Sequence, residues 1–295
     1  MRLLRLVPIL LILSPAVFAK GRYGNVSVSI DDGDDATTCS DLNVRFDGER
    51  VPMRSQSVPF SGNTLRIDNE KHGGIRVMGT RGSAWAVTAC TAVGPEADAG
   101  LVRIERRGDE IVATGPDEDR YIVYFLVEAP RGSTVNLRST NGPISLDEFE
   151  GTANARAVNG PISVKDSAGN ISAATTNGPV SISGGSGTVK LTATNGPVSV
   201  DLDGSGWNGS LDATTTNGPV SLKLPRGYRS GILVESLGHG PISCRAQACP
   251  DTRLASDDDE DEWGNPKRPR RIELGGGPQV IHLATTNGPV SVKEN

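Results

Sequence analysis

One tripeptide constrains this chain more than any other feature. Asn-Gly-Pro occurs at Asn141, Asn159, Asn177, Asn195, Asn217 and Asn287, with His239-Gly240-Pro241 as a near match. Successive first positions lie 18, 18, 18, 22, 22 and 48 residues apart. Four corners on a constant period, with insertions between the rest, mark a stack of equivalent units.

The flanking residues say what each unit is. Ahead of the corner, apolar or small residues alternate, as in Ile171, Ala173, Thr175 or Val189, Leu191, Ala193; behind it come Val180, Ile182 or Val198, Val200. A period of two is that of a β-strand with one face buried. Each unit is therefore two short strands joined by a corner, in which Pro withholds a donor, Gly accepts unusual torsions and Asn can bond locally. The corner residues are Asn141, Gly142 and Pro143; Asn159, Gly160 and Pro161; Asn177, Gly178 and Pro179; Asn195, Gly196 and Pro197; Asn217, Gly218 and Pro219; and Asn287, Gly288 and Pro289.

An antiparallel meander and a β-solenoid both satisfy this pattern. The solenoid is preferred, because only stacked parallel rungs gain from repeating Asn at each corner, where side-chain amides about 4.8 Å apart can bond as a ladder. The expected fold is thus all-β: a solenoid of rungs of 18–22 residues over positions 134–295, preceded by a β-rich lead-in at 20–133 that covers its first open edge. Inward columns are expected at Val135, Ala153, Ile171, Val189 and Leu211 ahead of the corner, and at Ile144, Ile162, Val180, Val198 and Val220 behind it. Thr140, Thr176, Thr194, Thr216 and Thr286 would line an outer column that could order water or bind sugars. The unit before His239 is damaged: Leu233, Glu235 and Leu237 fall where the inward residues belong, and a bulge is the expected remedy.

Aromatic residues make up only 4% of the chain while Gly numbers 36, which suits thin, turn-rich β layers. The first residues carry Arg2 and Arg5, an apolar run at 6–13 and then Val17-Phe18-Ala19. This is the pattern of a secretory signal peptide at 1–19. No later run is long enough for a membrane-spanning helix, and a net charge of −5 argues against nucleic acid as partner. Cys39, Cys90, Cys244 and Cys249, in a chain read as exported, are expected to form disulfides. Three pairings are open; Cys39 with Cys90 and Cys244 with Cys249 keeps each pair within one region. No CxxC spacing supports zinc.

From about 245 to 277 the repeat is interrupted by a charged insertion holding Asp257-Asp258-Asp259-Glu260-Asp261-Glu262 and Lys267-Arg268-Pro269-Arg270-Arg271, read as an exposed loop. This acidic run and Asp31-Asp32-Gly33-Asp34-Asp35 offer oxygen ligands, but neither matches a calcium loop, and solvated charge is the reading adopted.

Laid out in this way, the chain resembles an exported bacterial β-strand-repeat family of unknown function labelled "putative adhesin". The likeness rests on Gly74-Ile75-Arg76-Val77-Met78-Gly79, on Val127-Glu128-Ala129-Pro130-Arg131-Gly132, and on Ser139-Thr140-Asn141-Gly142-Pro143-Ile144-Ser145-Leu146 with its copies. It spans roughly 65–295. The family's common corner is Asn-Gly-Asp or Ser-Gly-Asp, so Pro is a departure here, as is the charged insertion. The resemblance implies a β-solenoid-like envelope protein with no established catalytic residues.

Catalysis on a β-helix needs acids gathered at a fixed separation. Asp147, Glu148, Glu150, Asp166, Asp201, Asp203 and Asp212 do not recur as a column, and His72, His239 and His282 lie in no HExxH motif. The expected function is non-enzymatic, structural or adhesin-like, through extended outer faces in the periplasm or at the cell surface. No cofactor or metal is expected. Partners would be envelope components, glycans or other proteins, and the oligomeric state is open. A carbohydrate-active lyase or hydrolase on a β-helix is the alternative.

Overall fold

The computed structural model describes residues 28–31, 36–94, 99–115, 120–204, 206–238, 240–247, 249 and 271–294. The proposed signal peptide, most of both acidic runs, most of the basic block and His239 lie outside the described residues. Among the described residues there is no α-helix, and the strands form an all-β solenoid.

The lead-in comprises β1 (Val28–Asp31), β2 (Asn43–Phe46), β3 (Glu49–Val51), β4 (Arg54–Ser57), β5 (Thr64–His72), β6 (Ile75–Thr80), β7 (Ala86–Val93), β8 (Arg103–Arg107), β9 (Glu110–Thr114) and β10 (Tyr121–Pro130). The rungs follow as pairs: β11 (Ser133–Asn141) with β12 (Ile144–Asp147), β13 (Glu150–Asn159) with β14 (Ile162–Lys165), β15 (Ala168–Asn177) with β16 (Val180–Ser183), β17 (Ser186–Asn195) with β18 (Val198–Asp201), and β19 (Gly209–Asn217) with β20 (Val220–Leu224). Beyond them come β21 (Ser230–Ser236), β22 (Ile242–Arg245), β23 (Arg271–Leu274), β24 (Gly276–Asn287) and β25 (Val290–Glu294).

From β11 to β20 each strand pairs parallel and in register with its counterpart one rung on, so like residues stack. Val135, Ala153, Ile171, Val189 and Leu211 form one continuous inward column, and Ile144, Ile162, Val180, Val198 and Val220 another. All ten are at most 2% exposed, in a single core that runs the length of the stack.

The solenoid begins before the boundary expected at 134. β5 pairs parallel with β11, and β6 with β12, so residues 64–80 form a rung whose corner is His72-Gly73-Gly74. Its corner is bonded like the later ones: Gly73 N–H donates to the Asn141 carbonyl at 3.0 Å and Ile75 N–H to the Pro143 carbonyl at 2.9 Å. Without Asn or Pro it cannot be read as a copy of the tripeptide.

The edges of this first rung are covered. β9 pairs with β5, while β10 lies parallel to β6 and antiparallel to β7. Val123, Phe125 and Val127 of β10 face the solenoid core, whereas Ile122, Tyr124 and Leu126 face a second layer containing Val44, Phe46, Leu42 and the Cys39–Cys90 disulfide. Two covered faces explain why β10 is a nearly unbroken apolar run and does not alternate.

At the far end, spatial order departs from chain order. β24, from the rung that ends the sequence, pairs with β19 on one side and β21 on the other, and β25 with β20 and β22. The Asn287 rung is thus inserted between the Asn217 rung and the β21–β22 rung. The terminal edge of β21 is covered by antiparallel β23.

The damaged unit also differs in detail from its expected frame. Ile232 and Val234, 1% and 0% exposed, continue the inward columns opposite Ile281 and Leu283. Leu237, 63% exposed, carries the extra residue out of the pleat, since Ser236 pairs with Thr285 while Leu237 N–H also donates to the Thr285 carbonyl. Burying two β-branched residues outweighs keeping the count.

Candidate functional site

The corners hold the backbone ladder together as the chain turns. Gly160 N–H donates to the Asn177 carbonyl at 3.1 Å and Ile162 N–H to the Pro179 carbonyl at 2.9 Å, and the same two bonds recur from rung to rung up to Gly218 with Asn287 and Val220 with Pro289. Pro sits where no donor is used, which is why the ladder tolerates it.

The Asn side chains form the ladder that repetition implies. Nδ2 of Asn159 donates to Oδ1 of Asn141 at 3.0 Å, Asn177 to Asn159 at 2.9 Å, Asn195 to Asn177 at 3.0 Å, Asn217 to Asn195 at 2.9 Å and Asn287 to Asn217 at 2.9 Å. At four of the six Asn-Gly-Pro corners Gly is required for a different reason than torsion, while Gly142 and Gly178, at φ 158° and 157°, meet both demands. Gly160, Gly196, Gly218 and Gly288 do not have positive φ, but a Cβ on any of them would stand 2.0–2.1 Å from a glycine carbonyl oxygen of the neighbouring rung.

Two supporting features escaped the reading of the sequence. Just inside the corner, Thr175, Thr215 and Thr285 donate Oγ1–H to the carbonyls of Gly160, Gly196 and Gly218 at 2.8–2.9 Å. A second glycine column, Gly151, Gly169, Gly187 and Gly209, turns the chain at the start of each long strand, where a Cβ on Gly187 would meet the Gly169 carbonyl oxygen at 2.3 Å. Its signal was available, since each member precedes a corner Asn by eight residues.

Outside the core, the register builds regular polar columns. Ser145, Ser163, Ser181, Ser199, Ser221, Ser291 and Ser243 align along the second-strand face, Ser145 buried and the rest half-buried or exposed, and Ser221 and Ser199 bond directly at 3.0 Å. Thr176, Thr194 and Thr216 are exposed beside the corners, with Thr140 and Thr286 half-buried.

Several outward acids are held by basic or imidazole partners. Asp147 accepts from buried Arg76 at 2.9 Å, Glu150 lies 2.9 Å from Arg131, and Asp201 is 2.8 Å from Lys223. His282 stands between two carboxylates, Nδ1 2.9 Å from Oδ1 of Asp212 and Nε2 3.0 Å from Oε2 of Glu235. A polar groove of about 350 Å³ lies at the second corner of the first rungs, lined by Gly79, Thr80, Arg81, Arg131, Glu148, Glu150 and Asp166. Among the described residues, no group of three or more His, Cys, Asp or Glu converges to hold a metal ion, and no helix is long and apolar enough to cross a membrane.

The cysteines are joined as Cys39–Cys90 and Cys244–Cys249, with Cα atoms 5.3 and 5.8 Å apart. The first ties the outer layer to β7. The second closes a small loop against the end of the stack, where Cys249 packs on the core.

No family model matches this chain, and no curated protein does. Two solved structures are similar in part. A "putative cell adhesion protein" from Clostridium sporogenes is 10% identical, with a TM-score of 0.29 over 83% of this chain and 100% of its own. A "putative adhesin" from Bacteroides fragilis is 11% identical, with a TM-score of 0.39 over 82% of this chain and 97% of its own. Neither likeness bears on what this chain binds.

Proposed function

We propose that this is a non-enzymatic, exported protein of the bacterial envelope or cell surface that acts by display. Its rigid stack presents in-register polar columns, and affinity for envelope components, glycans or other proteins comes from many weak contacts along a face. The observation that carries this reading is the serine column from Ser163 to Ser243, repeated at the rung spacing beside a polar column that includes Lys165, Ser183, Asp201 and Lys223. Spacing of about 4.8 Å in a fixed direction suits a polymeric ligand better than a small molecule. Export is supported by Arg2 and Arg5 ahead of the apolar run and by two disulfides, which persist in oxidising compartments.

The test is a pull-down of the purified chain on intact cell-wall and envelope material, alongside incubation with mixed polysaccharides. Binding without turnover is the expected result, and Ser163→Leu with Ser181→Leu should weaken it while leaving the melting temperature close to that of the parent. Release of sugar products would replace this reading with a carbohydrate-active enzyme.

A further inference from the structure

The inserted rung makes the end of the stack unusual. After Leu224 the chain does not step to the adjoining position; a connection of five residues, 225–229, carries it past one rung spacing to β21. Without β24 and β25, the inner edges of β19 and β20 would face those of β21 and β22 across a slot one strand wide. Such a slot exposes unpaired N–H and C=O groups on both sides, a template that must be filled by a strand.

What fills it arrives from far along the chain. Cys249 and Arg271 bracket 21 intervening residues, which fully extended could reach about 70 Å. The hydrogen bonds that seat the insert reach residues outside it: Asn287 donates to Asn217, His282 lies between Asp212 and Glu235, and Gly218 N–H donates to the Asn287 carbonyl. These contacts would be identical if the insert came from another molecule.

From this we infer that the slot is a strand-exchange site, and that its partner is the C-terminal segment, residues 271–294, of a second copy of this chain, β23 travelling with the strand pair because Gly275 alone joins it to β24. Reciprocal exchange closes a dimer by re-forming the pairings the monomer already makes. At low concentration each chain's own segment wins by its high effective concentration. At high concentration, once the insert has been released, a partner's segment competes, and the exchanged dimer persists because returning requires releasing the insert again.

Register places Ser221 and Ser291 opposite each other on β20 and β25, both half-buried and outward-facing. Ser221→Cys with Ser291→Cys in the full chain therefore reports which molecule fills the slot. Isotopically heavy and light chains are mixed at high concentration, warmed to the onset of unfolding, cooled, oxidised and digested. Heavy-to-light peptides joined through positions 221 and 291, in a species of twice the monomer mass, are the expected result. Links confined to one chain, in monomers or in dimers, would overturn the inference. The unaltered chain, treated likewise and followed by light scattering, should yield a dimer that survives dilution; monomer throughout would overturn it independently of how the cysteine variant folds.

Discussion

Gly178 lies so close to Gly160 that a Cβ on Gly178 would stand 2.3 Å from the Gly160 carbonyl oxygen and 2.7 Å from its carbon. The obstacle is backbone, which cannot swing aside as the tip of a side chain would. Gly178→Val should therefore force the third and fourth rungs apart and cost about 2–3 kcal/mol, the upper range for overpacking. Thermal or urea unfolding checks this, and a variant that melts with the parent would remove the corner argument.

Asn177→Ala should cost less. It deletes one amide that donates to Asn159 and accepts from Asn195, both at an exposed corner, while the backbone ladder beneath remains. A loss of about 1 kcal/mol is expected. Thr215→Val, which removes a part-buried bond to the Gly196 carbonyl at similar volume, should cost about the same. Equilibrium unfolding of the two variants beside the Gly178 variant gives the ranking.

His282 offers a test of where stability resides along the stack. It joins β24 to both neighbours through Asp212 and Glu235, so His282→Ala should loosen the inserted rung and its flanks. Because a stacked rung contacts only its neighbours, amide exchange should quicken in β21 and β24 and stay unchanged in β13 and β15. Uniform quickening would show instead that the stack opens as one unit.

Asp68 gives a pH dependence of determined sign. Burial pushes its carboxyl above the ordinary range, nearby Glu70 and Glu110 act the same way, and Arg138 opposes them. A carboxyl raised in the folded state penalises that state once ionised, so stability is lost as pH rises from the ordinary carboxylate value through the folded one. Asp68→Asn should thus melt higher than the parent near neutral pH, and the difference should vanish near about pH 3, where the parent is protonated in both states. A variant less stable at neutral pH would mean that the ion pair with Arg138 outweighs desolvation.

Much of the fold was legible because a solenoid is written locally. Val189 faces inward and Lys190 outward for the same reason in every rung, and the spacing of Asn177 and Asn195 alone places their amides in reach of each other. The first rung was hidden because His72-Gly73-Gly74 keeps the glycine that close approach requires and drops both residues that make the corner recognisable. The His282 clamp was hidden as well, since its carboxylates lie 70 and 47 residues away and meet it only across rungs that are not neighbours in the chain.

By itself, then, the sequence determined the unit: two strands, which faces they bury, and an Asn-Gly-Pro corner joining them. Only the tertiary structure decided the order of the units, setting Asn287 beside Asn217 and ahead of the β21–β22 rung. The physical reason is that each rung edge is the same template of N–H and C=O groups. Which strand occupies it depends on how far the connections reach and on the hydrogen bonds and packing formed along both edges, and neither is encoded within the unit that docks.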